Sequence, residues 1–165
     1  MANCGETRGM MTDAEEASFD LDHFLPYLLN QAAEASSHSF AATYRRDYGM
    51  TRTQWRVMAN LGKFGSMSAT EICRLAHIDK TKVSRAVSQL EVAGYLTRDK
   101  MPEDRRRERL ALTPVGRSVY AHLGAQALAF QADLTQALGA EHMAALAAIL
   151  REVIALHRDE ESGAK

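Results

Sequence analysis

The sequence predicts a mainly α-helical protein interrupted by one small β-hairpin. Three observations carry that expectation. Apolar residues recur at spacings of three and four through most of the chain. Residues that cap helices, Thr51, Ser68, Asp79 and Thr113, stand at the heads of four such segments. Between Tyr95 and Leu112 the period changes to two short extended runs about a polar turn.

Residues 1–18 hold little apolar content and read as a flexible tail. From near Leu21, the residues Phe24, Leu25, Leu28, Leu29, Ala32, Ala35 and Phe40 form one stripe of a long amphipathic helix to about Asp47, which Gly49 ends. Thr51 and Gln54 make a capping box for a second helix, with Trp55, Val57, Met58 and Leu61 on its apolar side and Gly62 and Gly65 closing it. Ser68 and Glu71 repeat the box for a short third helix, Ala69 to Ala76, with Ile72 and Leu75 facing inward. His77 and Ile78 turn the chain, and Asp79 caps a fourth helix that Gly94 stops. Tyr95 to Asp99 and Arg109 to Leu112 are the strands of the hairpin, joined through Met101-Pro102-Glu103-Asp104. Thr113 caps a fifth helix with Pro114 in its first turn, where a missing N–H costs nothing. Tyr120, Leu123, Ala127, Phe130 and Leu134 give it an apolar side, and Gly139 breaks it. A last helix runs from about Glu141 to His157.

No apolar run approaches the ~20 residues needed to cross a bilayer, and the first residues lack the basic and apolar regions of a signal peptide. With only Cys4 and Cys73 in the chain, a reducing, cytoplasmic setting is expected. The net charge of −1 hides an asymmetry. Between Arg74 and Arg117 stand eleven Lys/Arg and six Asp/Glu, so this stretch is positive while the remainder is acidic. A local basic field of this kind attracts phosphate.

The third and fourth segments, a short helix, a tight turn and a longer capped helix, form a helix-turn-helix. In the fourth, Val83, Ala86, Val87 and Leu90 share one face and must pack inward. The opposite face then presents Lys80, Thr81, Lys82, Ser84, Arg85, Ser88 and Gln89, all able to donate hydrogen bonds and none acidic. Phosphate oxygens and the base edges of a major groove ask for that set. A solvated surface helix normally carries both signs of charge. At the hairpin tip, Arg105, Arg106 and Arg107 repel one another until an anion arrives, and Asp104 is placed to brace one of them. A narrow minor groove suits an arginine there. The fold class is therefore a winged helix-turn-helix between N- and C-terminal helices.

The stretch from Leu75 to Gly116 resembles the MarR family, the multiple antibiotic resistance regulators. The resemblance rests on Asp79-Lys80-Thr81-Lys82-Val83-Ser84-Arg85-Ala86-Val87, Leu90-Glu91, Gly94-Tyr95-Leu96-Thr97-Arg98, Asp104-Arg105-Arg106 and Leu112-Thr113-Pro114-Val115-Gly116. With the flanking helices it extends over roughly residues 20 to 157. It implies a transcription regulator, a repressor, acting as a homodimer on a palindromic operator in double-stranded DNA. The fourth helix would enter the major groove, and Arg106 the minor groove with Asp104 positioning it. Residues 49–113 would be the DNA-binding region, 19–48 and 114–158 the helical dimerisation region, and 159–165 a C-terminal tail. The wide apolar stripes of the terminal helices point to the same dimer independently.

Family members often release DNA on binding a small aromatic or phenolic anion. The matching region here holds His38, Tyr44, Arg45, Trp55, Arg56, Met58 and Tyr120, although Trp55 and Met58 also fit a plain core. Redox sensing lacks support, since Leu28 and Leu29 stand where one branch of the family places a cysteine, and Cys73 reads as a structural thiol. The six histidines form no zinc-ligand spacing, so no metal is expected. No nucleophile elbow, phosphate-binding glycine loop or dinucleotide fingerprint is present, so neither an enzyme nor a cofactor is expected. The rival to a regulator is a nucleoid-type protein that coats DNA without reading sequence. Such a protein needs Lys and Arg but has no use for Thr81, Ser84, Ser88 and Gln89.

Overall fold

A computed structural model describes residues 19–100 and 108–163. The chain falls into two compact units, residues 1–35 and 36–165. In the first, Asp20 caps a 3-10 turn, Leu21–His23, and the Phe19 and Phe24 rings meet edge-to-face at 5.4 Å. Helix α1, Leu25–Tyr48, starts there and continues into the second unit. The sequence reading put the helix start near Leu21. Pro26 accounts for the difference: within a continuous helix it would lose its bond to the carbonyl of Asp22 and clash with it, whereas in a first turn it is tolerated.

The second unit adds α2 (Arg52–Phe64), α3 (Ala69–Ala76), α4 (Lys80–Val92), β1 (Leu96–Lys100), β2 (Glu108–Leu112), α5 (Pro114–Leu138) and α6 (Ala140–Gly163). Both capping boxes form: Thr51 with Gln54 and Ser68 with Glu71. Gly65, at φ +77°, ends α2. Gly62 does not: it lies inside the helix, where a Cβ would sit 2.5 Å from the Tyr120 ring. The ring needs that space, so this glycine serves packing rather than termination. Helix α6 extends past the expected His157 to Gly163, because apolar periodicity fades before the backbone leaves the helix.

The core joins the helices to the hairpin. Tyr44, Val57, Met58, Ile72, Val83, Val87, Leu90, Leu96, Leu110 and Leu123 are all fully buried. Burying a side chain of this size contributes roughly 1.5–3 kcal/mol, set against the entropy of ordering it. Strands β1 and β2 pair antiparallel with Leu96 opposite Leu112 and Arg98 opposite Leu110. Met67 adds a third, single-residue rung, its N–H and C=O both bonded to Leu110 at 3.0 and 2.7 Å. No described helix is long and apolar enough to cross a membrane.

Candidate nucleic-acid interface

The turn between α3 and α4 is made by His77, the one described non-glycine residue with positive φ (+47°). Its left-handed conformation reverses the chain, and the Ile78 N–H returns to the Cys73 carbonyl at 3.1 Å. Asp79 then starts α4, one carboxylate oxygen accepting from the N–H groups of Thr81 (2.8 Å) and Lys82 (3.3 Å). Those N–H groups hold its carboxyl below the usual range. On α4 the inward stripe is as the periodicity required: Val83, Ala86, Val87 and Leu90 are buried. Lys80, Thr81, Lys82, Ser84, Arg85, Ser88 and Gln89 are all exposed on the other side.

The hairpin is fixed at its root. Thr113 donates its hydroxyl to the Gly94 carbonyl (2.7 Å), accepts from the Gly116 N–H (2.9 Å), and sends its own N–H to the Tyr95 carbonyl (3.1 Å). Gly116 presses on that carbonyl so closely that a Cβ would lie 1.9 Å from the oxygen. Further out, ion pairs take over. Arg98 of β1 reaches Glu108 at 2.8 Å and Glu91 of α4 at 3.3 Å. Arg109 of β2 meets Glu71 of α3 at 3.2 Å. The sequence marks Arg98 only within the stretch that resembles the family and Arg109 only as the start of a strand, and it does not foretell their ion pairs; a partial signal is that Arg98 lies two residues from Leu96, and Glu108 two from Leu110, on the buried face of each strand. Asp104, Arg105, Arg106 and Arg107 lie outside the described residues.

Several concavities lie among the described residues of the second unit. One of about 530 Å³ lies between α3, α4 and the hairpin and is lined by Ser68, Thr70, Glu71, Lys80, Ser84, Arg98 and Glu108 among others. A smaller one, about 280 Å³, is lined by Ser37, Phe40, Tyr44, Arg52, Trp55 and Arg56. Its aromatic wall is continuous: Trp55 lies 5.7 Å from Phe40 and 6.2 Å from Tyr44, ring centre to ring centre. Arg56 donates to the Ala76 carbonyl at the end of α3, and burial holds its pKa below the ordinary value. Burial pushes the Tyr44 phenol up.

Of the residues expected at an effector cleft, the structure brings Tyr44, Trp55 and Arg56 together. His38 and Arg45 are exposed on α1 outside the lining, and Met58 is fully buried in the core. Tyr120 stacks on Trp55 at 6.5 Å and faces a different hollow of about 420 Å³ with Leu61, Gly62 and Arg117. Phe40 and Arg52 complete the smaller cavity and were missed. Arg52 stands one helical turn before Arg56, which was the available signal. Cys73 is half-buried and unpaired with another cysteine, and Cys4 lies outside the described residues. Among the described residues, no three His, Cys, Asp or Glu side chains gather as metal ligands would.

A sequence model described as the MarR family matches residues 48–107, from the end of α1 to the hairpin. The HTH-type transcriptional regulator FarR of Neisseria gonorrhoeae is 28% identical over 144 residues, covering 87% of this chain and 94% of that protein. The homoprotocatechuate degradative operon repressor of Escherichia coli is 28% identical over 132 residues, 80% of this chain and 88% of the repressor. Among solved structures, NadR in complex with 4-hydroxyphenylacetate superposes with a TM-score of 0.74 at 26% identity, over 82% of this chain and 98% of that one.

Proposed function

We propose that this chain is a winged-helix transcription regulator of the MarR family, a homodimeric, sequence-specific repressor of a palindromic operator; the family model over residues 48–107 and the regulators similar to it support the family. The observation that carries the reading is the one-sidedness of α4. Seven exposed donor side chains, without an acid among them, stand over four buried apolar residues. Lys80, Lys82 and Arg85 supply charge for phosphate or guanine, while Thr81, Ser84, Ser88 and Gln89 supply the short neutral groups that read base edges. In this reading Arg105, Arg106 and Arg107 extend the contact to the flanking minor groove, with Asp104 orienting Arg106. The protein works in the cytoplasm, and its role is binding rather than catalysis.

Dimerisation is supported by apolar side chains left in water on the terminal helices. Leu128, Leu138, Leu146, Ile149 and Ile154 are each 45–74% exposed, and Leu25 and Leu28 of the first unit about half exposed. Large apolar side chains left exposed on helices α5 and α6 are what an interface would cover, and those of the first unit add to that count. In a twofold dimer, residues 19–48 and 114–158 form the contact and residues 49–113 carry the DNA-reading lobe, with two α4 helices about one DNA turn apart.

The effector proposed is a small aromatic or phenolic carboxylate. Phe40, Tyr44 and Trp55 offer rings, and Arg52 and Arg56 offer guanidinium groups at the same cavity. NadR, a structural neighbour, binds 4-hydroxyphenylacetate, a molecule of that chemistry. Calorimetric titration with a panel of aromatic acids tests it; no heat and no effect on DNA binding would end this part of the reading.

Selection of bound duplexes from a random pool at physiological salt tests the main claim. The expected product is a palindrome with half-sites about one helical turn apart. Recovery of unselected sequence would favour the rival, a non-specific nucleoid-type binder.

A further inference from the structure

Apolar packing holds the hairpin only over its inner half. Leu96, Leu110 and Leu112 are buried, whereas Arg98 and Glu108 line the 530 Å³ hollow in front of α3 and α4. Charge bridges that hollow. The Arg98 guanidinium uses Nη1 for Glu108 on the neighbouring strand and Nη2 for Glu91 near the C-terminal end of α4. On the far side, Arg109 takes the Glu71 oxygen that already receives the Ser68 N–H and hydroxyl at 2.7 and 2.8 Å. That carboxylate is anchored in the α3 cap, so it acts as a fixed strut.

We propose that Arg98 is a positioning residue for the wing: it clasps β2 to the end of the recognition helix and sets the stand-off between wing and helix, without touching DNA. The inference rests on the DNA-reading function proposed above for α4 and the hairpin. Geometry favours the clasp over a phosphate contact. Turning Arg98 to a phosphate would break both pairs and leave Glu91 and Glu108 facing the polyanion with no counter-charge from Arg98. A planar fork suits holding two carboxylates at once, and a lysine in its place cannot span both in the same way. The Glu108 hydrogen bond, helped by the charge of Glu91, also holds Arg98 more firmly protonated than an ordinary arginine.

Two measurements on the full chain test this. The first needs no DNA: amide hydrogen exchange of Arg98→Gln against the parent protein. The clasp predicts faster exchange at residues 98–100 and 108–110, by up to about fivefold for exposed pairs of this kind, with α2 and α5 unchanged. Unchanged hairpin protection overturns the proposal. The second is binding to the selected operator across a salt series. Arg98→Gln is expected to bind about threefold to tenfold more weakly, the loss falling on base pairs under the wing, while the slope of log affinity on log salt stays that of the parent. Arg98→Lys should recover part of the loss. A slope flattened by about 0.9 per protomer would mean that Arg98 neutralises a phosphate, and the clasp would be wrong. If exchange quickens but the parent selects no operator, the clasp stands and the sequence-specific function is what fails.

Discussion

Raising KCl from about 50 to 200 mM is expected to weaken operator binding roughly a thousandfold or more, and the structure sets the scale. Each phosphate neutralised adds about −0.9 to the log–log slope on B-DNA. Not every cation in the basic lobe counts. Arg98 and Arg109 are committed to Glu91, Glu108 and Glu71, and Arg117 donates to the Leu112 carbonyl. On α4, Lys80, Lys82 and Arg85 are exposed and form none of the described ion pairs. Three such cations in each protomer give a slope of about −5 for a dimer, and engagement of Arg105 to Arg107 as well would carry it to about −11. Fluorescence anisotropy of a labelled operator duplex over a KCl series measures this. Lys82→Ala should flatten the slope by about 2, one phosphate per protomer, whereas Arg109→Ala should leave it unaltered. A parent slope shallower than about −3, or equal flattening by both variants, would refute the division between free and committed cations.

Arg106→Ala should weaken binding by roughly 1–3 kcal/mol, chiefly at A·T-rich positions under the wing; equal loss on every sequence in a binding-site profile would point to plain phosphate contact. Gly116→Ala should cost about 3 kcal/mol or more in urea melts, since its Cβ meets the Tyr95 backbone oxygen at 1.9 Å and a carbonyl within a built joint cannot move aside. Gly62→Ala should cost less, about 1–2 kcal/mol, because the obstacle is the Tyr120 side chain, which can turn; a reversed order in the two melts would contradict this account. Acid should unfold the protein partly through Glu71 and Asp79, whose carboxyls are held low chiefly by cap hydrogen bonds from Ser68 and from the Thr81 N–H. Groups depressed on folding stabilise above their unfolded pKa values, near 4, and that stability drains as pH falls through the folded values. Glu71→Gln should therefore flatten the acid limb of a stability–pH curve, and an unchanged limb would remove Glu71 from the explanation.

The parts of this fold legible in the sequence are those decided within about four residues. Thr51 with Gln54, Ser68 with Glu71, and Asp79 with the amides after it are local chemistry, and each formed as spaced. The α4 stripe was legible because burial at one helical period leaves few alternatives. What escaped were contacts made across the chain. Glu71 and Arg109 stand 38 residues apart, and nothing in either neighbourhood announces the other. Gly62 looked like a stop because glycine often is one; only the Tyr120 ring, arriving from α5, reveals its use. The smaller cavity was half legible: Trp55 and Arg56 were identified on α2, but Phe40 enters from α1, and no sequence period signals a hollow.

The same division bears on how binding and release would be linked. Trp55 and Arg56 line the proposed effector cavity from α2, yet Arg56 also donates to the Ala76 carbonyl at the last turn of α3. Helix α3 ends there, and after the His77 turn the chain enters α4. A carboxylate drawing on the Arg56 guanidinium would compete for the group that secures the end of α3. Ligand binding shifts a two-state equilibrium only by its differential affinity for the two states, and this shared arginine is a concrete place for such a difference. The wing has separate supports: Arg98 and Arg109 tie it to α4 and α3, and Thr113 and Gly116 hold its root. An effector acting through Arg56 would therefore disturb α3, and through it the start of α4, before the hairpin root. DNA release by that route should first erode base readout at Lys80 to Arg85 while the wing keeps its hold.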